Sequence, residues 1–124
     1  MTTTTTSPAG VADAYLAAWN ETDEQRRAAL LEQAWTPDAR YADPMMNGAG
    51  LAQISALIGG VHERFAGFRF NRIGTPDGHG EHVRFSWSLG PAGASEPPIA
   101  GTDLVELEDG RISRVVGFLD RVPS

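Results

Sequence analysis

The segment Ile99–Asp120, IAGTDLVELEDGRISRVVGFLD, reads as two strands joined by Asp109-Gly110. Asp-Gly suits a two-residue type I′ turn, so the two runs form an antiparallel hairpin. Alternate residues of a strand share a face. Ile99, Gly101, Asp103, Val105 and Leu107 therefore point one way, and a carboxyl group stands in an apolar row. Burying a charge is costly unless it is paired or neutralised, so Asp103 is the first candidate for function. On the second strand Val115, Gly117 and Leu119 take the cavity side. Ile112, Val116 and Phe118 form an apolar stripe on the opposite side.

Moving outward from the hairpin, Gly90–Pro98 is a Pro- and Gly-rich loop, preceded by a strand over Glu81–Leu89. Val83, Phe85, Trp87 and Leu89 share one side of that strand. Thr75-Pro76-Asp77-Gly78 has the composition of a turn, and Phe68–Ile73 is a further strand. Upstream of Gly67 the apolar period lengthens to that of a helix. Ile54, Leu57, Ile58 and Val61 make the apolar side of a helix over Leu51–Phe65, despite Gly59-Gly60 inside it. Ala39–Asp43 is a short strand ending in Asp43-Pro44. Before it lies a helix capped by Thr22 and Gln25 in a capping box, with Leu30, Leu31, Ala34 and Trp35 inward, stopped by Thr36-Pro37-Asp38. The first helix starts at Ser7-Pro8 and carries Val11, Tyr15, Leu16, Ala18 and Trp19 inward, ending near Asn20. Three helices followed by a mostly antiparallel sheet predict an α+β domain over residues 8–124, behind a disordered tail at residues 1–7.

The 124 residues favour one domain. The net charge of -6 and the absence of a dense Lys/Arg run argue against nucleic acid or an anionic membrane as partner. With no cysteine, disulfides, thiolate metal sites and a Cys nucleophile are excluded. No stretch is apolar and long enough to span a bilayer, and Thr2–Thr6 lacks the basic and apolar regions of a secretory signal. A soluble, cytoplasmic protein is the expectation. The two-faced hairpin needs a cover on each side, which predicts a homodimer through the outer stripe.

Nucleotide-binding glycine motifs, zinc-protease motifs and the nucleophile-elbow motif are absent from the sequence. His62, His79 and His82 lack metal-ligand spacing, and no metal or other cofactor is expected. His79 and His82 flank a Gly-rich turn, whereas His62 is placed to face a pocket mouth. Three polar groups sit on apolar stripes or at their ends: Tyr15, Asp43 and Asp103. Each also has an ordinary reading. Tyr15 could be a core tyrosine bonded to a backbone carbonyl, Asp43 could tie its own turn, and Asp103 could reach water at a strand end. Asp120 could be a surface carboxylate near Arg114 or Arg121.

The order of these features resembles the nuclear transport factor 2-like superfamily, a cone of three helices against a strongly curved sheet, across roughly Val11 to Asp120. By motif the chain is most similar to ketosteroid isomerase and the SnoaL-like proteins. Ala14–Asn20, AYLAAWN, looks like the isomerase's first-helix segment, Ala42-Asp43-Pro44 like its Asp-Pro motif, and Ile99–Leu107 like its acid-bearing strand. The resemblance implies Asp43 as general base and Tyr15 with a neutral Asp103 as donors to an enolate oxygen. It places Trp87 and Leu119 on an apolar pocket wall. Phe85 and Val115 are expected to line that cavity too, with His62 at its mouth. Ile58 stands where the isomerase has a supporting tyrosine. The implied ligand is a small apolar carbonyl or polycyclic compound. Two alternatives within the superfamily are a cyclase using Asp120 and an epoxide hydrolase using Arg84 with Asp103 and Asp120. Outside enzymes the alternatives are a ligand-binding protein without catalysis and an interaction module whose outer sheet face makes a homodimer and whose cavity is vestigial.

Overall fold

The computed structural model describes residues 7–123; the tail expected at residues 1–6 lies outside them. Ser7, assigned above to the tail, belongs to the fold. Its hydroxyl accepts from the Gly10 N–H at 3.0 Å and caps α1 (Pro8–Asn20), with Pro8 in the first turn. Helix α2 (Glu24–Ala34) is capped one residue later than the sequence suggested. Asp23 accepts from Arg26 N at 2.9 Å, and the Glu21 carboxylate takes the Asp23 N–H at 3.1 Å. That second bond fills the role expected of Gln25. Helix α3 (Leu51–Arg64) runs through Gly59-Gly60 unbroken.

Six strands follow or separate the helices: β1 (Trp35–Ala42), β2 (Asn47–Ala49), β3 (Phe68–His79), β4 (His82–Pro91), β5 (Ile99–Glu108) and β6 (Arg111–Arg121). They lie in the order β2-β1-β6-β5-β4-β3, with β1 parallel to β6 and every other pair antiparallel. Asp109 at φ 52 and Gly110 at φ 80 make the expected turn between β5 and β6.

Two boundaries differ from the sequence reading. Trp35 is buried as expected, but it opens a strand rather than closing a helix, and Thr36-Pro37-Asp38 continue that strand. Pro37 disfavours helical backbone at the residue before it, and Trp35 pairs with Ile112 of β6. Thr75–Gly78 is not a turn either. The chain reverses at Gly80-Glu81, and the Gly74–Pro76 stretch forms a bulge between the pairs Ile73–Ser86 and Asp77–Arg84. Turn-forming residues here bend a long strand instead of ending it.

Bulges also move Ile112. Between Leu107–Ile112 and Glu106–Arg114 one residue, Ser113, has no opposite number, so Ile112 and Val115 both face inward. Ile112 is 2% exposed and belongs to the core, not to the outer stripe where simple alternation put it. The outer face keeps Val116 and Phe118 and gains Leu104, the partner of Val116. Together these irregularities curve the sheet around the helices without closing it. The core fills the concave side, where α1 contributes Val11, Tyr15, Leu16 and Trp19, and β4 contributes Val83, Phe85, Trp87 and Leu89. No helix among the described residues is long and apolar enough to cross a membrane.

Candidate active site

Asp103 lies in the middle of the sheet, paired with Phe85 on β4 and Gly117 on β6, and has no exposed surface. Two glycines make the room. A Cβ on Gly117 would stand 2.7 Å from Asp103 Oδ1, in the volume the carboxyl group uses. On Gly101 it would run into the Trp87 indole and come within 2.6 Å of the Phe118 carbonyl oxygen. The indole lies across the strand at Gly101, beside the carboxyl group.

From α1, Tyr15 descends onto this point. Its ring meets Phe85 edge-on with centroids 5.1 Å apart and stacks on Trp35 and Trp19 at 5.7 and 5.9 Å. Neither Asp103 oxygen closes a hydrogen bond of good geometry, nor does the Trp87 indole N–H. The Tyr15 hydroxyl and the Trp87 indole are nonetheless the donors that face it. Burial pushes the Asp103 carboxyl up to about 6; those two donors oppose the shift, and the charges of Asp43 and Asp120 add to it. The neutral form therefore persists to about pH 6, well above the ordinary carboxylate range, with the two donors favouring the carboxylate. Burial, followed by the field of Asp103, holds the Tyr15 hydroxyl well above the ordinary tyrosine value.

Asp43 comes from the end of β1. Tyr41 and Asp43 are two residues apart on one side of the chain, and the Tyr41 hydroxyl donates to Asp43 Oδ2 at 2.5 Å. The other oxygen, Oδ1, accepts from Met45 N at 2.8 Å and Met46 N at 2.9 Å, which closes a turn over Pro44. The Gly117 position that touches Asp103 would also lie 3.3 Å from Asp43 Cβ. The two carboxyl groups are thus neighbours over one glycine. Burial, then the charges of Asp103 and Asp43, raises Tyr41 far above its usual range, and the neighbouring Tyr15 hydroxyl works the other way. Two tyrosines and two acids form one cluster.

The structure thus brings together Tyr15, Asp43 and Asp103, with Phe85, Trp87 and Val115 buried around them and Leu119 half-buried on the same strand as Val115. His62 is elsewhere. It lines a cleft of about 820 Å³ between the ends of α1 and α3 and the start of β3. A second concavity, about 530 Å³, is lined by β1, β2 and β6, with Arg40, Tyr41, Arg114 and Val115 among its residues. Neither is lined by Tyr15, Asp43 or Asp103, although Tyr41 and Val115 line the second; Trp19, Tyr41, Phe70 and Trp87 form a run of ring contacts next to Tyr15.

Asp120 and Arg84 stand on the outer face. Asp120 Oδ2 accepts from the Thr102 hydroxyl at 2.7 Å, and Thr102 contacts the Ser86 hydroxyl at 2.9 Å. Its polar partner is a threonine, not Arg114 or Arg121. Arg84 pairs with Asp77 at 2.9 Å. The bulge that leaves Asp120 unpaired between Ala100–Arg121 and Gly101–Leu119 does not turn it inward, so Arg84, Asp103 and Asp120 do not converge. No group of three His, Asp or Glu side chains among the described residues is arranged to hold a metal ion.

Sequence reasoning missed Tyr41 and the two space-making glycines. The signal for Tyr41 was present: in Tyr41-Ala42-Asp43, strand alternation puts the tyrosine and the acid on one face. Ile58 on α3 offers no hydroxyl, whereas Tyr41 on β1 places one on Asp43.

The description "SnoaL-like domain" fits residues 12–115 of the chain. A search of curated proteins finds no match. Among solved structures, a candidate isomerase of the SnoaL-like family from Agrobacterium tumefaciens is 49% identical. It superimposes with a TM-score of 0.86 over 90% of this chain and 96% of its own. A candidate ketosteroid isomerase from Kribbella flavida is 19% identical with a TM-score of 0.69, covering 94% of this chain and 80% of its own. A candidate polyketide cyclase from Sinorhizobium meliloti is 17% identical with a TM-score of 0.67, covering 86% and 92%. The last two share the fold, three helices against a curved, unclosed sheet of the nuclear transport factor 2-like kind. With the family profile matched over most of its length, this chain belongs to the SnoaL-like domain family.

Proposed function

We propose that the protein is a small-molecule enzyme of the ketosteroid isomerase-like type, moving a proton next to the carbonyl of an apolar ring compound. The observation that carries this reading is Asp103: a fully buried carboxyl group facing a tyrosine hydroxyl, with a second carboxylate beside it and no ion pair to a cation among the described residues. Asp43 takes the proton from the carbon between the carbonyl and a neighbouring double bond. The electron pair moves onto the carbonyl oxygen, where the Tyr15 hydroxyl and, in its protonated form below about pH 6, Asp103 each donate a hydrogen bond. Asp43 then returns the proton to the far carbon of the conjugated system, leaving the double bond shifted and the enzyme unchanged. The ring compound takes the place of some of the aromatic side chains packed around Tyr15.

A second reading is favoured by one specific feature. Both Asp43 oxygens are already engaged, by Tyr41 and by the Met45 and Met46 N–H groups, as in a carboxylate that holds a turn. A protein that binds an apolar ligand without turnover fits that arrangement.

The two readings separate on a β,γ-unsaturated cyclic ketone, with the ultraviolet absorbance of the conjugated product as signal. Asp43→Asn is expected to lower kcat by about 10²–10⁴, the usual worth of a positioned base, while the ligand still raises Tm. Turnover that survives this substitution removes Asp43 from the mechanism. Ligand-dependent stabilisation with no product formed by the unaltered protein selects the binding reading.

A further inference from the structure

The cleft of about 820 Å³ has a charged anchor of its own. Arg27 lines it and is only 4% exposed. Its Nε donates to Ser55 Oγ and its Nη1 to the Glu21 carbonyl, both at 2.9 Å. Those partners are neutral. The ion pairs among the described residues are Arg72–Asp13 and Arg84–Asp77, so Arg27 has no carboxylate to balance it. A cation withdrawn from water is costly to keep without a counter-charge. The third guanidinium nitrogen, Nη2, faces α3 at Gly59, where a Cβ would stand 3.2 Å away. Glycine leaves that side of the guanidinium open.

The other charges on the cleft, Arg69, Glu24 and Glu63, belong to exposed residues, where water and salt screen them. Arg27 is the charge least screened. His62 adds no positive charge near neutral pH: burial pushes its imidazole below the ordinary value, against a hydrogen bond that the ring donates to the Trp19 backbone carbonyl. Ala56, Ala66 and the half-buried Phe68 give the cleft an apolar side.

We propose that this cleft binds a small monoanion with an apolar body, an aryl or alkyl carboxylate, its carboxylate on Arg27 Nη2 and its body against Phe68. A planar guanidinium matches a carboxylate in shape as well as in charge. Glu24 and Glu63 repel ligands of higher negative charge, which favours a monocarboxylate over phosphate. The proposal does not depend on proton transfer at the acid cluster.

Benzoate is the probe, with benzamide and inorganic phosphate as controls, titrated into the full chain and followed by amide chemical shifts and calorimetry. Benzoate is expected to bind and to shift the Gly59, Gly60 and Phe68 amides, with benzamide and phosphate weaker by about tenfold or more. Arg27→Gln removes the charge, and Gly59→Ala places a methyl group against Nη2 while suiting the helix. Each is expected to weaken benzoate by about tenfold or more. Gly59→Ala keeps the test readable if Arg27→Gln does not fold. Absent benzoate binding, phosphate or benzamide binding as well as benzoate, or an affinity unchanged in the folded variants overturns the proposal.

Discussion

Replacing Asp103 with asparagine removes a proton-binding site from the centre of the sheet, and the consequence can be worked from its surroundings. In the unfolded chain the carboxyl group gives up its proton near the reference value of 3.8; in the folded protein, burial delays this to about 6. Between those values the native state holds a proton that the unfolded state has lost, so stability falls as pH rises. The contribution is fully present below 3.8 and gone above about 6. Each tenfold difference in proton affinity between the folded and unfolded states is worth ~1.4 kcal/mol, so the loss amounts to ~3 kcal/mol. Asp103→Asn has no such titration. The amide presents an oxygen to the Tyr15 and Trp87 donors at every pH, so any difference in hydrogen bonding is a constant offset. The variant is therefore expected to gain ~3 kcal/mol relative to the parent between about pH 4 and pH 7, equivalent to roughly 10 °C in Tm for a chain of this size. Paired urea unfolding curves across that range measure the difference directly, and a carbon-detected titration of the Asp103 carboxyl group reads its pKa in the native state. Parallel stability profiles for the two proteins, or a native Asp103 that titrates near 4, would refute the argument that burial dominates its environment.

Other substitutions probe the parts that make this environment. Gly117→Ala puts a methyl group 2.7 Å from Asp103 Oδ1 in a position where neither strand can easily yield, and is expected to cost about 1–3 kcal/mol in urea unfolding. An unchanged midpoint would mean that the carboxyl group has room to move. Tyr41→Phe deletes the donor on Asp43 Oδ2 and should destabilise by about 1.5–3 kcal/mol. A double-mutant cycle with Asp43→Asn tests whether that loss belongs to the pair, since independent losses would simply add. On the outer face Phe118 is 50% and Leu104 45% exposed, and the expected homodimer covers them. Sedimentation should find twice the chain mass for the parent and the monomer for Phe118→Glu; a monomeric parent ends that proposal.

Much of the frame is legible in the order of residues. The Asp109-Gly110 turn, the inward set Val83, Phe85, Trp87 and Leu89, and the Ser7-Pro8 helix start depend on neighbours a few residues away in the chain. Local chemistry is sufficient for such features. The errors share a cause. Pro37 and the Thr75–Gly78 run have the composition of stops, yet tertiary pairing holds both inside strands. Ile112 was misplaced because alternation assumes an unbroken ladder, and a single bulged residue reverses the facing of the residues beyond it.

By itself, the sequence determined the class of fold, the carboxyl group in an apolar row, and the three residues worth watching, since periodicity and residue type carry those. Only the tertiary structure decided that Asp103 and Asp43 share the space over Gly117, that Tyr41 from β1 joins them, and that Asp120 stays outside. The reason is physical. Those contacts join the end of β1, at Ala42, to β5 and β6, which begin only at Ile99 and Arg111, and nothing local records which residue will lack a side chain where another needs the room. The carboxyl group that breaks the apolar pattern of Ile99–Asp120 is visible in the strand alone. The glycine that makes space for it is a feature of the sheet.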